Sequence, residues 1–220
     1  MKTFGWNGTN LTLFNMANPS YVSGSNVTNG TTKTISTAAV SNGLLLVEWS
    51  GQTPPTSMDY DGIAMTDLGV SIHSGEGKVW YCFTSSEKTS KVITATGGNG
   101  NCFLGSLYFQ DCKQQAPTHT GVKAQAGAGT FTQDITTDVD NSLVVWFMLT
   151  DGGTCTAGAG MTRRWADTTV RGGAAFTSTS VVSPAALFTA ATAGSDSGFY
   201  SAIMSLEPVP PAAPTGSGLF

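Results

Sequence analysis

The stretch Leu143-Val144-Val145-Trp146-Phe147-Met148-Leu149 is apolar at every position, in a chain that has almost no helical periodicity. A β-strand with this composition presents two apolar faces, because successive side chains point to opposite sides. We therefore expect this strand either at the centre of a sheet or covered by a partner.

Further short apolar runs surround this stretch and are separated by clusters of Gly, Asn, Asp and Ser, which favour turns. Residues 200–206 alternate apolar and polar side chains, as in a strand with one buried face. The other clearest predicted strands are residues 44–49, 78–84, 91–96, 103–109 and 199–206. The pattern predicts an all-β, antiparallel, jelly-roll-like sandwich. No repeat of fixed period is visible, which argues against a solenoid or a propeller.

The chain divides into three predicted parts: an N-terminal arm or first hairpin at 1–31, the sandwich domain at 32–207 and a Pro-rich tail at 208–220. The tail spans about 40 Å as a polyproline helix of roughly 3.1 Å per residue, long enough to reach a neighbouring subunit. A disordered tail is the alternative. The residues expected to contact a partner are Trp6, Pro210, Pro211, Leu219 and Phe220, with the last two as an apolar anchor.

Composition limits the classes of function. Charged residues make up 11% of the chain, against about 25% in typical soluble domains. A surface with few charges suits a protein packed beside its own copies, although a secreted bacterial domain has similar composition. The net charge of -4 argues against nucleic-acid binding. The N-terminus lacks the apolar stretch of a secretory signal and no apolar run of membrane-spanning length occurs, so we expect synthesis in the cytosol and no membrane span.

Catalytic signatures are sparse. The chain has two histidines, His73 and His119, both in polar, turn-like contexts, and no Gly-x-Ser-x-Gly motif. The closest carboxylate pairs, Asp59 with Asp61 and residues 138 with 140, are spaced as in ordinary loops. We expect no enzymatic activity.

Metal and cofactor signatures are equally sparse. Structural calcium at Asp59 and Asp61 is a weak alternative, because no bidentate acid follows at the required spacing. The cysteines have neither CxxC spacing nor a nearby histidine, so we expect free thiols, no metal and no cofactor. They are Cys82, Cys102, Cys112 and Cys155.

Aromatic residues offer the other functional signal. Trp49, Trp80 and Trp146 lie within predicted strands, which indicates core packing. Trp165 follows Arg163 and Arg164 and is therefore predicted on the surface, where an exposed indole ring stacks on sugars. This residue is the candidate glycan contact.

An ordered series of segments resembles a β-sandwich domain that recurs in bacteriophage virion proteins and bacterial surface proteins. The segments are residues 42–47, 58–66, 78–81, 141–145, 157–162 and 201–208. The resemblance covers residues 32–208 and implies a jelly-roll-like fold. It carries over no catalytic residue, since the matching positions are strands and turns, and a shared fold does not fix function.

From these features the sequence predicts a non-enzymatic virion structural protein of a bacteriophage, either a capsid decoration protein or a head or tail fibre component. The expected partners are further copies of the chain, as a homotrimer or homodimer, and a capsid or tail protein. The alternative is a carbohydrate-binding or adhesive module at a bacterial surface, with a host-surface glycan as ligand.

Overall fold

The computed structural model describes residues 2–6, 11–15, 17–28, 30–37, 40–72, 76–84, 89–98, 102–127, 129–151, 153–168, 170–182, 187–194 and 198–211. The regular structure in these ranges is all β, and the paired strands are antiparallel. The strands are β1 (Lys2–Trp6), β2 (Leu11–Asn15), β3 (Ser20–Thr28), β4 (Thr32–Thr37), β5 (Gly43–Gly51), β6 (Ser57–Tyr60), β7 (Ile63–Ala64), β8 (Thr66–Ile72), β9 (Gly77–Thr84), β10 (Thr89–Thr96), β11 (Cys102–Gln110), β12 (Thr118–Ala126), β13 (Gly129–Thr136), β14 (Leu143–Asp151), β15 (Cys155–Ala157), β16 (Met161–Ala166), β17 (Val170–Ser178), β18 (Leu187–Gly194) and β19 (Gly198–Leu206). The predicted all-β, antiparallel class is confirmed.

The strands stack in four layers. The first inner sheet has the order β3-β11-β5-β9-β8, and the sheet β4-β10-β6-β7 covers its outer face. The second inner sheet has the order β12-β19-β14-β17-β16, and β13-β18-β15 covers its outer face. Side chains from both inner sheets fill one shared buried cluster, so the inner sheets face each other. Strands β1 and β2 form a separate hairpin.

Residues 20–110, the first half, and residues 118–206, the second half, have the same strand order. Placing β3 on β12 and β11 on β19 brings β5 onto β14, β9 onto β17 and β8 onto β16. In the outer sheets β4, β10 and β6 match β13, β18 and β15. The chain therefore contains an internal structural repeat, which we did not predict from the sequence.

Matching positions in the two halves share local detail. Asn42 before β5 and Asn141 before β14 both adopt positive φ, 47° and 63°. Asparagine tolerates this left-handed conformation better than most residues. The following Leu44 and Leu143 both enter the cluster between the inner sheets. The pairings β8–β9 and β16–β17 each contain a register shift.

Each half resembles a sandwich but departs from an even split of strands. The first half divides its strands five and four between its two sheets, and the second half five and three. A jelly roll has eight strands in two sheets. The sandwich architecture is observed, and the jelly-roll-like connectivity stays a prediction.

The central strands of the two inner sheets are buried on both faces. All nine residues of β5 are buried, and Leu143 to Thr150 of β14 are buried too. In β14, Val145, Phe147 and Leu149 face the other inner sheet, whereas Trp146 faces the outer sheet. The expectation of a central strand at residues 143–149 is confirmed.

The other predicted strands are also observed, within β5, β9, β10, β11 and β19. The N-terminal region differs from expectation, because only its first part is the β1–β2 hairpin. Strand β3, within the predicted arm at 1–31, is an edge strand of the first inner sheet. The sandwich therefore begins at Ser20. At the other end, the strand structure stops at Leu206, close to the predicted start of the tail.

Candidate assembly site

The root of the C-terminal tail is fixed to the segment that links the two halves. The backbone N–H of Lys113 donates to the Glu207 carbonyl at 2.9 Å, and Lys113 Nζ donates to Glu207 Oε2 at 2.7 Å. Pro208 forms an isolated antiparallel bridge with Cys112. The Glu207 carboxylate is almost fully buried, so this pair is less screened by solvent than a surface ion pair. The tail therefore leaves the body from a defined point.

Two of the predicted contact residues follow that root, and both are exposed: Pro210 and Pro211. Their ring geometry fixes φ near −65° and leaves no N–H to bond back to a sheet, which favours an extended chain. The predicted anchor, Leu219 and Phe220, lies outside the described residues.

The remaining predicted contact residue, Trp6, lies at the end of β1, where the register pairs it with Leu11 of β2. The structure describes the backbone of Trp6 but not its side chain. The structure thus places Trp6 on a two-stranded hairpin that precedes the sandwich. A hairpin of two strands is marginally stable in water by itself, so a covering surface would stabilise it.

Trp165 is buried, and its prediction as a surface residue is wrong. Its side chain is 7% exposed and packs 5.1 Å from Phe103 and 6.1 Å from Phe147, measured between ring centroids. The indole Nε1–H donates to the Ser106 carbonyl at 3.1 Å. A ring held between the two inner sheets cannot stack on a sugar, so the glycan-binding alternative loses its candidate residue.

A register shift between Arg163 and Trp165 explains this error. In a regular strand, Met161 and Trp165 are four residues apart and share one face. Here Met161 enters the outer cluster of the second half, and Trp165 enters the cluster between the inner sheets. The irregularity turns the tryptophan inward, as β-bulges often do.

Polar side chains link the halves along the seam between β3 and β16. The Arg164 guanidinium lies 4.0 Å from the centroid of the Tyr21 ring, and its Nε donates to Thr177 Oγ1 at 2.8 Å. Asp167 accepts hydrogen bonds from Asn26 and Thr28. Arg163 is exposed, as expected for a solvated residue, whereas Arg164 is half-buried in this seam.

The predicted carboxylate pair forms a structural turn. Asp59 Oδ1 accepts from the Gly62 N–H at 3.0 Å, and Asp61 lies 3.3 Å from Lys91 Nζ. Asp61 and Gly62 both have positive φ, which accounts for the Asp-Gly sequence in this turn. Across the described ranges, no group of three or more His, Cys, Asp or Glu side chains is close enough to hold a metal ion.

The four cysteines are free, as expected, and all four are buried. Burial raises the pKa of Cys82 to about 12 and that of Cys112 to about 12. The thiolate is the nucleophilic form, so these thiols are unreactive near neutral pH. Cys82 and Cys112 therefore contribute to the protein by packing and not by reacting.

A small cavity of about 10 Å³ lies beside the tail root. Its walls include Leu44, Cys112, Pro117 and Glu207. This space is close to the minimum for one water molecule and far below the roughly 300–1,000 Å³ of a ligand pocket. It belongs to the packing of the tail root.

The buried carboxyl of Glu48 was not predicted from the sequence. Glu48 lies in the middle of β5 with 0% exposure, and neither carboxylate oxygen has a hydrogen-bond partner. Burial raises the pKa of this carboxyl well above its usual value. Its place in the apolar run of residues 44–49 was the available signal, since a charged residue within an apolar strand needs a partner or a solvated face.

No protein-family profile matches the chain, and no curated protein is similar to it at a significant level. None of the described segments forms a helix long and apolar enough to span a membrane. The functional argument therefore rests on the chain's own geometry.

Proposed function

We propose that the chain is a non-enzymatic structural protein of a bacteriophage virion, a capsid decoration protein or a head or tail fibre component, which acts through assembly. The observation that carries this proposal is the tail root: Glu207 and Pro208 are tied to the segment linking the halves, and Pro210 and Pro211 leave the body exposed. A fixed root followed by a Pro-rich segment that includes Leu219 and Phe220 suits docking on a neighbouring subunit.

The body supports this role as a stiff scaffold. Three separate apolar clusters fill the spaces between its four layers. Of the described side chains, Ile63 is the most exposed large apolar one, at 38%. In this proposal the arms provide the contact area. Stable docking needs about 1,200–2,000 Å² of total buried surface.

The partners in this proposal are other copies of the chain, as a homotrimer or homodimer, and a capsid or tail protein. Low charge, 11% of the residues, favours close packing of copies because repulsion between them is weak. The site of action is the virion after synthesis in the host cytoplasm.

Light scattering of three proteins tests the proposal: the full chain, a chain ending at Glu207, and a full-length Leu219→Ser, Phe220→Ser variant. The double variant is the matched control, because it keeps the length of the tail and removes only its apolar tip. We expect a dimer or trimer for the full chain and monomers for both altered proteins. Monomers in all three cases contradict self-assembly, and oligomers in all three contradict assembly through the tail.

A further inference from the structure

Among the described residues, Glu48 is the one carboxyl that is fully buried without a hydrogen-bond partner. It lies on the face of β5 that meets the second inner sheet, between its register neighbours Gly105 of β11 and Val79 of β9. A Cβ atom on Gly173 of β17 would lie 3.3 Å from Glu48 Oε2, which places the carboxyl directly against the other half. Glu48 therefore lies within the interface between the halves.

The internal repeat shows what this position holds in the other half. Leu44 pairs with Phe109, and Leu143 with Leu206, so β5 and β14 superimpose with Glu48 on Phe147. Phe147 belongs to the cluster between the inner sheets. The same position thus carries an apolar ring in one half and an ionisable group in the other, which shows that the fold itself does not require a carboxyl there.

None of the charged side chains that the structure describes is hydrogen-bonded to this carboxyl. The charged residues on β9, β11, β14, β16 and β17, the strands packed around it, are Lys78, Asp151, Arg163, Arg164 and Arg171. Lys78 Nζ pairs with Asp67 at 2.6 Å, Arg163 donates to the Cys155 carbonyl at 2.6 Å, and Arg164 packs on Tyr21. The side chains of Asp151 and Arg171 lie outside the described residues. Burial is the cause of the raised pKa of Glu48.

We propose that Glu48 makes the interface between the two halves pH-sensitive: the inner sheets pack most stably when its carboxyl is protonated, and the interface weakens as the carboxyl ionises. An isolated carboxylate without hydrogen bonds is costly in an apolar interior, whereas the neutral acid is far less so. This inference is independent of the proposed function, since it concerns the body and not the arms.

The direction of the pH effect follows from proton linkage. An unfolded glutamate titrates near pH 4.3, and burial raises the pKa of Glu48 in the folded chain above that value. Below about pH 4.3 both states bind the proton and Glu48 has no effect on the pH dependence. Above that pH the unfolded chain releases the proton first, so rising pH favours unfolding until it passes the folded pKa.

Urea unfolding of the full chain at several pH values between 4 and 8 tests this proposal, with Glu48→Gln as the variant. Glutamine has a similar shape and does not ionise, so the contributions of all other groups cancel in the ratio of the two unfolding constants. We expect the ratio of wild type to variant to rise with pH by up to about tenfold per pH unit. A ratio that stays constant within about twofold from pH 5 to 7 overturns the proposal.

Glu48→Met is the second variant, because it also removes the ionisable group and replaces it with an apolar side chain of similar length. The ratio of wild type to this variant is expected to rise with pH in the same way as the ratio to Glu48→Gln. If Glu48→Gln does not fold, infrared spectroscopy of the wild-type chain decides the matter. A protonated carboxyl band that persists at least about one pH unit above the ordinary glutamate value of 4.3 supports the proposal, and loss of all such bands by that pH overturns it.

Discussion

The two halves reach the same strand order with different interiors. In the first half the space between the sheets holds Trp49, Trp80 and Tyr60, and neither indole N–H has a hydrogen-bond partner. In the second half Trp146 lies 5.5 Å from Phe131, ring to ring, and its Nε1–H donates to Gln133 Oε1 at 3.0 Å. One topology therefore tolerates both an unsatisfied and a satisfied aromatic core.

The interior of the second half depends on specific side-chain hydrogen bonds, whereas that of the first half depends on apolar packing. Gln133 Oε1 also accepts from Ser201 Oγ at 2.5 Å, so one glutamine ties β13 to both β14 and β19. The outer sheet of the first half, by contrast, packs on its inner sheet through an apolar cluster, in which Met58 and Ile93 are buried. Buried polar networks fix a unique arrangement, whereas apolar packing is more tolerant of substitution.

The largest expected effect is the loss of the Trp146 ring. Trp146→Ala removes a fully buried side chain that contacts Phe131 and Phe176 and leaves Gln133 with one partner fewer. We expect the free energy of unfolding to fall by about 3–5 kcal/mol in urea titration. Ile63→Ala, at an exposed position, is the control and should change it by less than about 0.5 kcal/mol. A loss below 1 kcal/mol for Trp146→Ala would show that the second core is loosely packed.

A methyl group at Gly105 is expected to have the next largest effect. The matching position in the second half is Ala202, but a Cβ on Gly105 would overlap the Trp165 ring. Gly105→Ala should therefore destabilise the chain by about 1–3 kcal/mol, as overpacking does. Gly30→Ala serves as a comparison, because its new methyl would meet only ordinary contacts at 3.4 Å and beyond. Equal stability of the two variants contradicts the placement of Trp165 between the inner sheets.

A matched pair of Trp→Phe substitutions sharpens the contrast between the cores. Trp146→Phe loses the hydrogen bond to Gln133, whereas Trp49→Phe loses an N–H without a partner. Both remove similar ring volume, so we expect Trp146→Phe to cost about 1 kcal/mol more. Thermal or urea unfolding of both variants measures this difference. The reverse order would mean that the Trp49 N–H is satisfied in solution.

The smallest expected effect is at the seam between β3 and β16. Arg164→Lys keeps the charge but loses the planar guanidinium stacked over Tyr21 and its donation to Thr177. We expect a loss of about 0.5–1 kcal/mol in urea unfolding. Ile63→Val, at an exposed position away from the seam, is the control and should be neutral. Similar losses in both variants would argue that the seam does not hold the halves together.

Most of the strands were predictable because their pattern is local. The apolar stretch at residues 143–149 indicated a strand buried on both faces, and β14 is such a strand. The repeat was not predictable in the same way, since few residues are shared between the halves. Asn42 matches Asn141, and Leu44 matches Leu143. At other matching positions the side chains differ in size and polarity, as Glu48 and Phe147 do.

The candidate site was predictable only in part. The Pro-rich composition indicated where the strands end, but the anchoring of Glu207 by Lys113 depends on two residues far apart in sequence. Trp165 was misplaced because two neighbouring arginines suggested exposure, whereas the register shift in β16 turns the ring inward. A single extra residue in a strand reverses the faces, and composition does not reveal it.

Hydrogen exchange of the full chain, followed by mass spectrometry at neutral pH, tests most directly whether the two halves form one body through their inner sheets. Strands β5 and β14 are buried on both faces and lie at the two centres of that body. We expect their amides to exchange slowest and at matching rates, because exposing either requires the inner sheets to separate. Fast exchange in one of these strands while the other stays protected would contradict the shared interface.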